Sequence, residues 1–336
     1  MAALTKTPVK APPLQCTGHT RPIPSLTFSN LQPDSSYFLL SSCKDSKPML
    51  RDGITGDWIG TFLGHKGAVW AAKLSGDASK AITGSADFTA KIWNAYSGEV
   101  IRTLSHDHIV RGVDITASGS HAITAGHEKR IRLWDLDRED AEPEVLKRDG
   151  VETVHDAVIK AVAFMRERRD EAVSAGDDNA VRWWDLRTGE CTHTVTTEGP
   201  ITSLERSHDG NIISVTTDKT VSFYDPSSRE PLHTHTFSYP ITTSSLHPIR
   251  RDRFVTGSSD GRVRVHDAKT GEELETLRGH FGPVHSIAFS PDGELYASGS
   301  EDGTIRLWQE SPKSYGLWRY NEAEGELPIN GVNHDT

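Results

Sequence analysis

The chain has 336 residues, with 37 Lys and Arg against 47 Asp and Glu, a formal net charge of -10 and a sequence pI near 5.9. An acidic total of this size argues against general binding to a phosphate backbone. A mean hydropathy of -0.50, with no apolar run of membrane-spanning length, argues against an inserted helix. Three cysteines, Cys16, Cys43 and Cys191, are far apart and odd in number, which points to a reducing compartment without a disulfide framework or a CxxC pair for zinc.

Residues 1–12 carry lysines but lack the apolar stretch of a signal peptide, and are expected to be flexible. Residues 13–19 align with 61–65 and 277–280, two stretches that lead from an outer strand into Gly-His. Residues 13–17 are therefore expected to supply a missing outer strand at the far end of the chain, with 315–320 as the competing choice. From there one motif recurs seven times: a serine or threonine, an acid four residues on, and a large or polar side chain six beyond. The copies are Ser41–Asp45–Arg51, Thr83–Asp87–Trp93, Thr124–Glu128–Trp134, Ser174–Asp178–Trp184, Ser214–Asp218–Tyr224, Thr256–Asp260–His266 and Ser298–Asp302–Trp308. Successive end points lie 42, 41, 50, 40, 42 and 42 residues apart.

Each unit reads as four short strands separated by turns. In the second, strands at 69–74, 81–83, 89–93 and 100–104 alternate with turns at Gly76-Asp77, Ala86-Asp87 and Ser97-Gly98. In the last, strands at 284–290, 295–298 and 304–308 flank a Pro291-Asp292-Gly293 turn. The surplus in the 50-residue interval lies at 137–156, an acidic, polar stretch expected to form a solvated loop. After residue 310, Tyr315, Trp318 and Tyr320 are apolar enough to pack on the side of the body, and from about residue 321 the chain is expected to be disordered.

A four-stranded sheet of this length cannot bury both of its faces alone. Seven sheets set radially cover one another, and a period near 42 with Gly-His before and Trp-Asp after resembles the WD repeat. The expected fold is an all-β, seven-bladed WD-repeat β-propeller over residues 13–310, closed by the N-terminal strand. The histidines His65, His106 and His280 precede their acids by 22 residues, and His155 precedes Asp178 by 23. Resemblance to WD repeats implies buried hydrogen-bonded tetrads: His65, Thr83, Asp87 and Trp93; His155, Ser174, Asp178 and Trp184; His280, Ser298, Asp302 and Trp308. These are assigned to folding rather than chemistry. Blades one, five and six lack part of the set and are expected to be looser at that end.

The Gly-His loop and the acid-bearing turn share one end of each blade, called top here. The residue after the first Val or Ile of each inner strand should face the channel entrance: Pro24, Trp70, Arg111, Lys160, Thr202, Thr242 and His285. The residues just before the acids join them: Lys44, Ala86, His127, Asp177, Thr217, Ser259 and Glu301. A tryptophan beside arginine is the composition of a binding hot spot. The partner-binding candidates are therefore Trp70, Arg111, Lys160, His127, His285, Lys44 and Glu301. Packing of Trp70 between blades is the competing reading.

Residues 47–70, 108–116 and 279–309, with the YGLW run at 315–318, resemble the serine–threonine kinase receptor-associated family, notably in the arginine that replaces tryptophan at Arg51. The resemblance spans essentially the whole propeller, and the acidic C-terminal extension of animal members is much shorter here. It implies a cytoplasmic and partly nuclear adaptor. It also implies association with the survival-of-motor-neuron complex through Gemin proteins, serving small nuclear ribonucleoprotein assembly, and animal roles in growth-factor receptor signalling and translation control. Two rivals remain. One is the propeller subunit of translation initiation factor three, which shares a GH-x-GAVW start to the second blade. The other is a substrate receptor of cullin–RING ligases, suggested by Trp184-Asp185-Leu186-Arg187 in the WDxR pattern. There is no HExxH, phosphate loop or nucleophile elbow, so neither an enzyme nor a cofactor is expected. His233 and His235 share a strand side but lack an evident third metal ligand. No direct nucleic-acid contact or membrane insertion is expected, and the propeller is expected to be one monomer within a complex.

Overall fold

A computed structural model describes residues 12–138, 140–165 and 170–311. All regular structure among them is β, arranged as seven four-stranded antiparallel sheets. Blade two runs Val69–Leu74, Lys80–Ser85, Thr89–Asn94 and Val100–Ser105 from the central channel outward. Its second strand is buried over nearly its whole length because it is covered on both faces, whereas its outer strand is mostly exposed. The other blades repeat this order, and the strand ends fall within one or two residues of the turn signals. The second strand of blade two extends to Lys80–Ser85, beyond the 81–83 that β-branching alone marks, because neighbouring backbones complete its ladder on both sides.

Ring closure is built by Leu14–Cys16, which pairs antiparallel with the third strand of blade seven, Ile305–Gln309, in the register Leu14 to Leu307 and Cys16 to Ile305. The alternative at 315–320 lies outside the described residues, as do residues 1–11 and the segment from 321 onward.

The core is not one body but a set of apolar wedges, one between each pair of blades. Ile82, Ala90 and Ile92 of blade two, for example, meet Val110, Val113, Ala122 and Trp134 of blade three. Each wedge buries the face that an isolated sheet would leave wet.

The stretch at 137–156 differs from the solvated loop expected. Glu144–Val145 forms a short outer strand on Arg132 and Leu133, and Leu146 and Val154 are fully buried in the wedge between blades three and four. Acidic neighbours hid these two anchors, since only two apolar side chains in the stretch reach the core.

Candidate functional site: the channel mouth and the tetrads beneath it

Two sets of polar residues gather at the top end. The first is buried. In blade two, Trp93 Nε1 donates to Thr83 Oγ1 at 2.8 Å, Thr83 Oγ1 lies 2.7 Å from His65 Nε2, and His65 Nδ1 lies 2.8 Å from Asp87 Oδ2. With Nδ1–H donating to the carboxylate, Nε2 accepts from the threonine hydroxyl, and every donor finds one acceptor. Blade four repeats the chain through His155, Ser174, Asp178 and Trp184, with contacts of 2.9, 2.7 and 2.9 Å. Blade seven does so through His280, Ser298, Asp302 and Trp308, at 3.1, 2.7 and 2.8 Å. The side chains of His65, His155 and His280 have no solvent-exposed area.

Burial alone would raise the Asp87 carboxyl, but hydrogen bonds from His65, Thr89 and the Lys66 amide outweigh it and hold it well below the usual range. The same balance lowers Asp178, and lowers Asp302 to about 2. Burial holds His155 and His280 below the ordinary imidazole value against the pull of their acids.

The other blades vary the theme. In blade one His19 lies 2.7 Å from Ser41 and 3.2 Å from Asp45, although it precedes the acid by 26 residues. Arg51 stands where tryptophan would, donating to the carbonyls of Gly56 at 3.1 Å and of Thr17. Blade one thus lacks only the indole. Blade three keeps His106 against Glu128 at 3.2 Å and Trp134 on Thr124 at 2.8 Å. Blade six replaces the histidine of the loop with aromatic packing: His266 lies 3.1 Å from Thr256 and stacks on Phe254, while Arg264 binds Asp260 at 2.6 Å and lies 4.0 Å from the Tyr239 ring centre. In blade five Tyr224 fills the position, edge-on to Trp183.

His19, Cys43 and Asp45 bring possible ligand atoms within 4.8 Å of one another. Cys43 Sγ, however, donates to the Arg21 carbonyl, burial pushes the thiol to about 12, and both His19 nitrogens are engaged. His235 Nε2 lies 2.9 Å from the Ala268 carbonyl oxygen, and its ring stacks on Phe254 and, at 6.1 Å, on His233. Arg187 is exposed and bonded to Asp185 at 3.2 Å.

The second set lines the mouth. Pro24, Trp70, Arg111, Lys160, Thr202, Thr242 and His285 all border one central cavity of about 450 Å³, and Lys44 joins them. The remaining residues before the acids stand outside that wall. Two of them brace it: Asp177 pairs with Lys160 at 2.5 Å, and Glu301 with His285 at 2.5 Å. Lys160 also donates to the Ile201 carbonyl at 2.9 Å, tying blade four to blade five. Trp70 is half-buried and belongs to no apolar wedge. The Arg111 guanidinium lies 3.9 Å from the Trp70 ring centre and the Lys44 ammonium 5.2 Å from it. At these distances the ring quadrupole attracts both cations. His127 stacks face to face on His108, with ring centres 4.9 Å apart and planes within 5°. Sequence spacing located the inner-strand residues of the mouth and Lys44; His127 and Glu301, expected to join them, stand outside its wall, and His108, whose partner across the turn is visible only in space, was not singled out.

Four segments, 56–94, 98–135, 189–225 and 271–309, match the family model described as "WD domain, G-beta repeat". The serine-threonine kinase receptor-associated protein of Gallus gallus is 46% identical over 308 residues, covering 91% of this chain and 85% of the relative. That of Dictyostelium discoideum is 42% identical over 297 residues, covering 88% and 98%. Eukaryotic translation initiation factor 3 subunit I of Culex quinquefasciatus is more distant, 29% identical over 320 residues, covering 88% and 95%. With the ring closed by its own first strand and nearly all of its length shared with such relatives, the chain belongs to the serine-threonine kinase receptor-associated protein family of WD-repeat propellers.

Proposed function

We propose that this protein is a non-catalytic scaffold that holds protein partners at the channel mouth. One observation carries the reading: seven residues at the starts of the inner strands converge on one opening, where two cations flank Trp70, while the histidine side chains of the tetrads beneath are closed to solvent. Interface energy concentrates on such aromatic and arginine anchors. His65, Thr83, Asp87, Trp93 and their counterparts then serve the fold. The family resemblance extends the proposal to Gemin-type subunits of the survival-of-motor-neuron complex, small nuclear ribonucleoprotein assembly, and a cytoplasmic and nuclear location. The test is affinity purification from the source cell with wild type and the Trp70→Ala, Arg111→Glu double variant. The expected result is loss of a partner with an unchanged thermal midpoint. Retention of every partner by a folded double variant would overturn the reading. The likeness to initiation factor 3 subunit I favours a second reading, which recovery of initiation-factor subunits in the same purification would support.

A further inference from the structure

In every blade but the fifth, the turn that carries the acid bends through a left-handed residue immediately after that acid, Ser46 in blade one and Lys129 in blade three among them. Glycine stands there in blades six and seven, Gly261 and Gly303, and asparagine in blade four, Asn179. These residue types reach positive φ at low cost. Blade two instead holds Phe88 at φ 65°. A bulky side chain in that region is strained, and strain of this kind gathers at functional sites. Burial does not compensate it, because Phe88 remains 45% exposed.

The side chain lies on a step of rings. Phe88 meets His108 with ring centres 5.3 Å apart, and His108 stacks on His127. Burial, then Arg111 and His108, hold His127 below the ordinary imidazole value, so at neutral pH it offers a flat uncharged ring. Beside the step stand Trp70, Arg111 and Lys44. Among the described residues no carboxylate forms an ion pair with Arg111 or Lys44; the nearest acid acting on Arg111, Asp177, is itself paired with Lys160 at 2.5 Å. Trp70 Nε1 also has no acceptor among the described residues. In a chain of net charge -10, two cations without a hydrogen-bonded carboxylate partner at one opening form a local site for a group of negative charge, although Asp177 acts on Arg111 from a distance.

Resting on the mouth as the partner face, we propose that the arc formed by blades one to three binds an extended acidic segment of a partner protein. A carboxylate sits against Arg111 and Lys44 above Trp70, and a neighbouring apolar side chain lies on the step of Phe88, His108 and His127. The carboxylate supplies the direct partner that Arg111 and Lys44 lack among the described residues. The apolar neighbour covers a ring that the turn holds outward at a cost.

The test selects random 12-residue displayed peptides on the full chain, then measures a synthetic representative by fluorescence anisotropy. Selected peptides are expected to carry Asp or Glu beside an aromatic or aliphatic residue. Arg111→Gln should weaken binding at least tenfold. Phe88→Gly should weaken it about fivefold with a thermal midpoint equal to or above wild type, which separates lost contact from lost folding. Peptides without an acidic excess, or binding unchanged in both variants, would overturn the proposal. If such peptides nonetheless lose binding in Trp70→Ala, the mouth stands as the partner face and only the acidic chemistry falls. Peptides indifferent to Trp70→Ala as well would remove both.

Discussion

Replacing Thr83 by valine keeps the shape of the side chain and removes one hydroxyl. That hydroxyl accepts from Trp93 Nε1 at 2.8 Å and faces His65 Nε2 at 2.7 Å, and Trp93 and Thr83 are both fully buried. The substitution therefore strands one donor and one acceptor away from water. Each stranded buried group costs about 1–3 kcal/mol, so the loss should be roughly 2–6 kcal/mol. With an unfolding entropy of about 2.1 cal/mol/K per residue, a ring of this size should melt about 3–10 °C lower. The control is Thr103→Val, whose hydroxyl meets only Lys91 on an exposed face, and which should change stability by less than about 0.5 kcal/mol. A double variant with Trp93→Phe removes the stranded donor and should cost less than the sum of the two single changes. Urea and thermal unfolding of the four proteins measure this. Equal midpoints for Thr83→Val and Thr103→Val, or strict additivity with Trp93→Phe, would refute a structural role for the chain.

Acidification should weaken the fold in two steps. Burial lowers His155 and His280 and brings His266 to about 4, so the unfolded chain takes up protons first and stability declines as pH falls from about 6.5 toward 4. Against their own burial, hydrogen bonds hold Asp45, Glu128 and Asp302 at about 2; their contribution is whole above about pH 4 and is lost as pH falls toward 2. A urea midpoint that stays flat between pH 7 and 5 would contradict the first step. Gly126→Ala should destabilise by about 3 kcal/mol or more, because the new Cβ would lie 2.1 Å from the Ile109 carbonyl oxygen and 2.9 Å from the Arg111 amide nitrogen, both backbone. A melting curve matching wild type would show that the strand beneath Arg111 yields more easily than this packing implies.

The blades were legible in sequence because the motif repeats at one spacing and the residues that end strands are turn formers. Closure by Leu14–Cys16 was legible because residues 13–19 copy the end of an outer strand. The mouth followed from strand alternation, which puts the residue after Val69 or Val110 at the opening. What spacing could not reveal was contact across blades. His19 reaches Asp45 despite four extra residues because the surplus is absorbed by a turn in which Gln32 and Ser36 bond to each other. The stack of Arg111 on Trp70 joins neighbouring blades 41 residues apart in the chain, and His127 meets His108 across one hairpin. Leu146 and Val154 were hidden for the opposite reason, as isolated apolar anchors in an acidic stretch.

The clasp of Leu14–Cys16 on Ile305–Gln309 joins residues 293 apart, from Leu14 to Leu307. During synthesis its first half emerges long before its second. Blades one to six can assemble in order of appearance while the opening strand waits without a partner. The wheel locks only when the seventh sheet arrives. Until then Leu307's eventual neighbour is an unpaired edge, the kind of surface that chaperones shield. Completion is therefore a late, long-range event, in which one short hairpin-free pairing turns an open arc into a rigid disc.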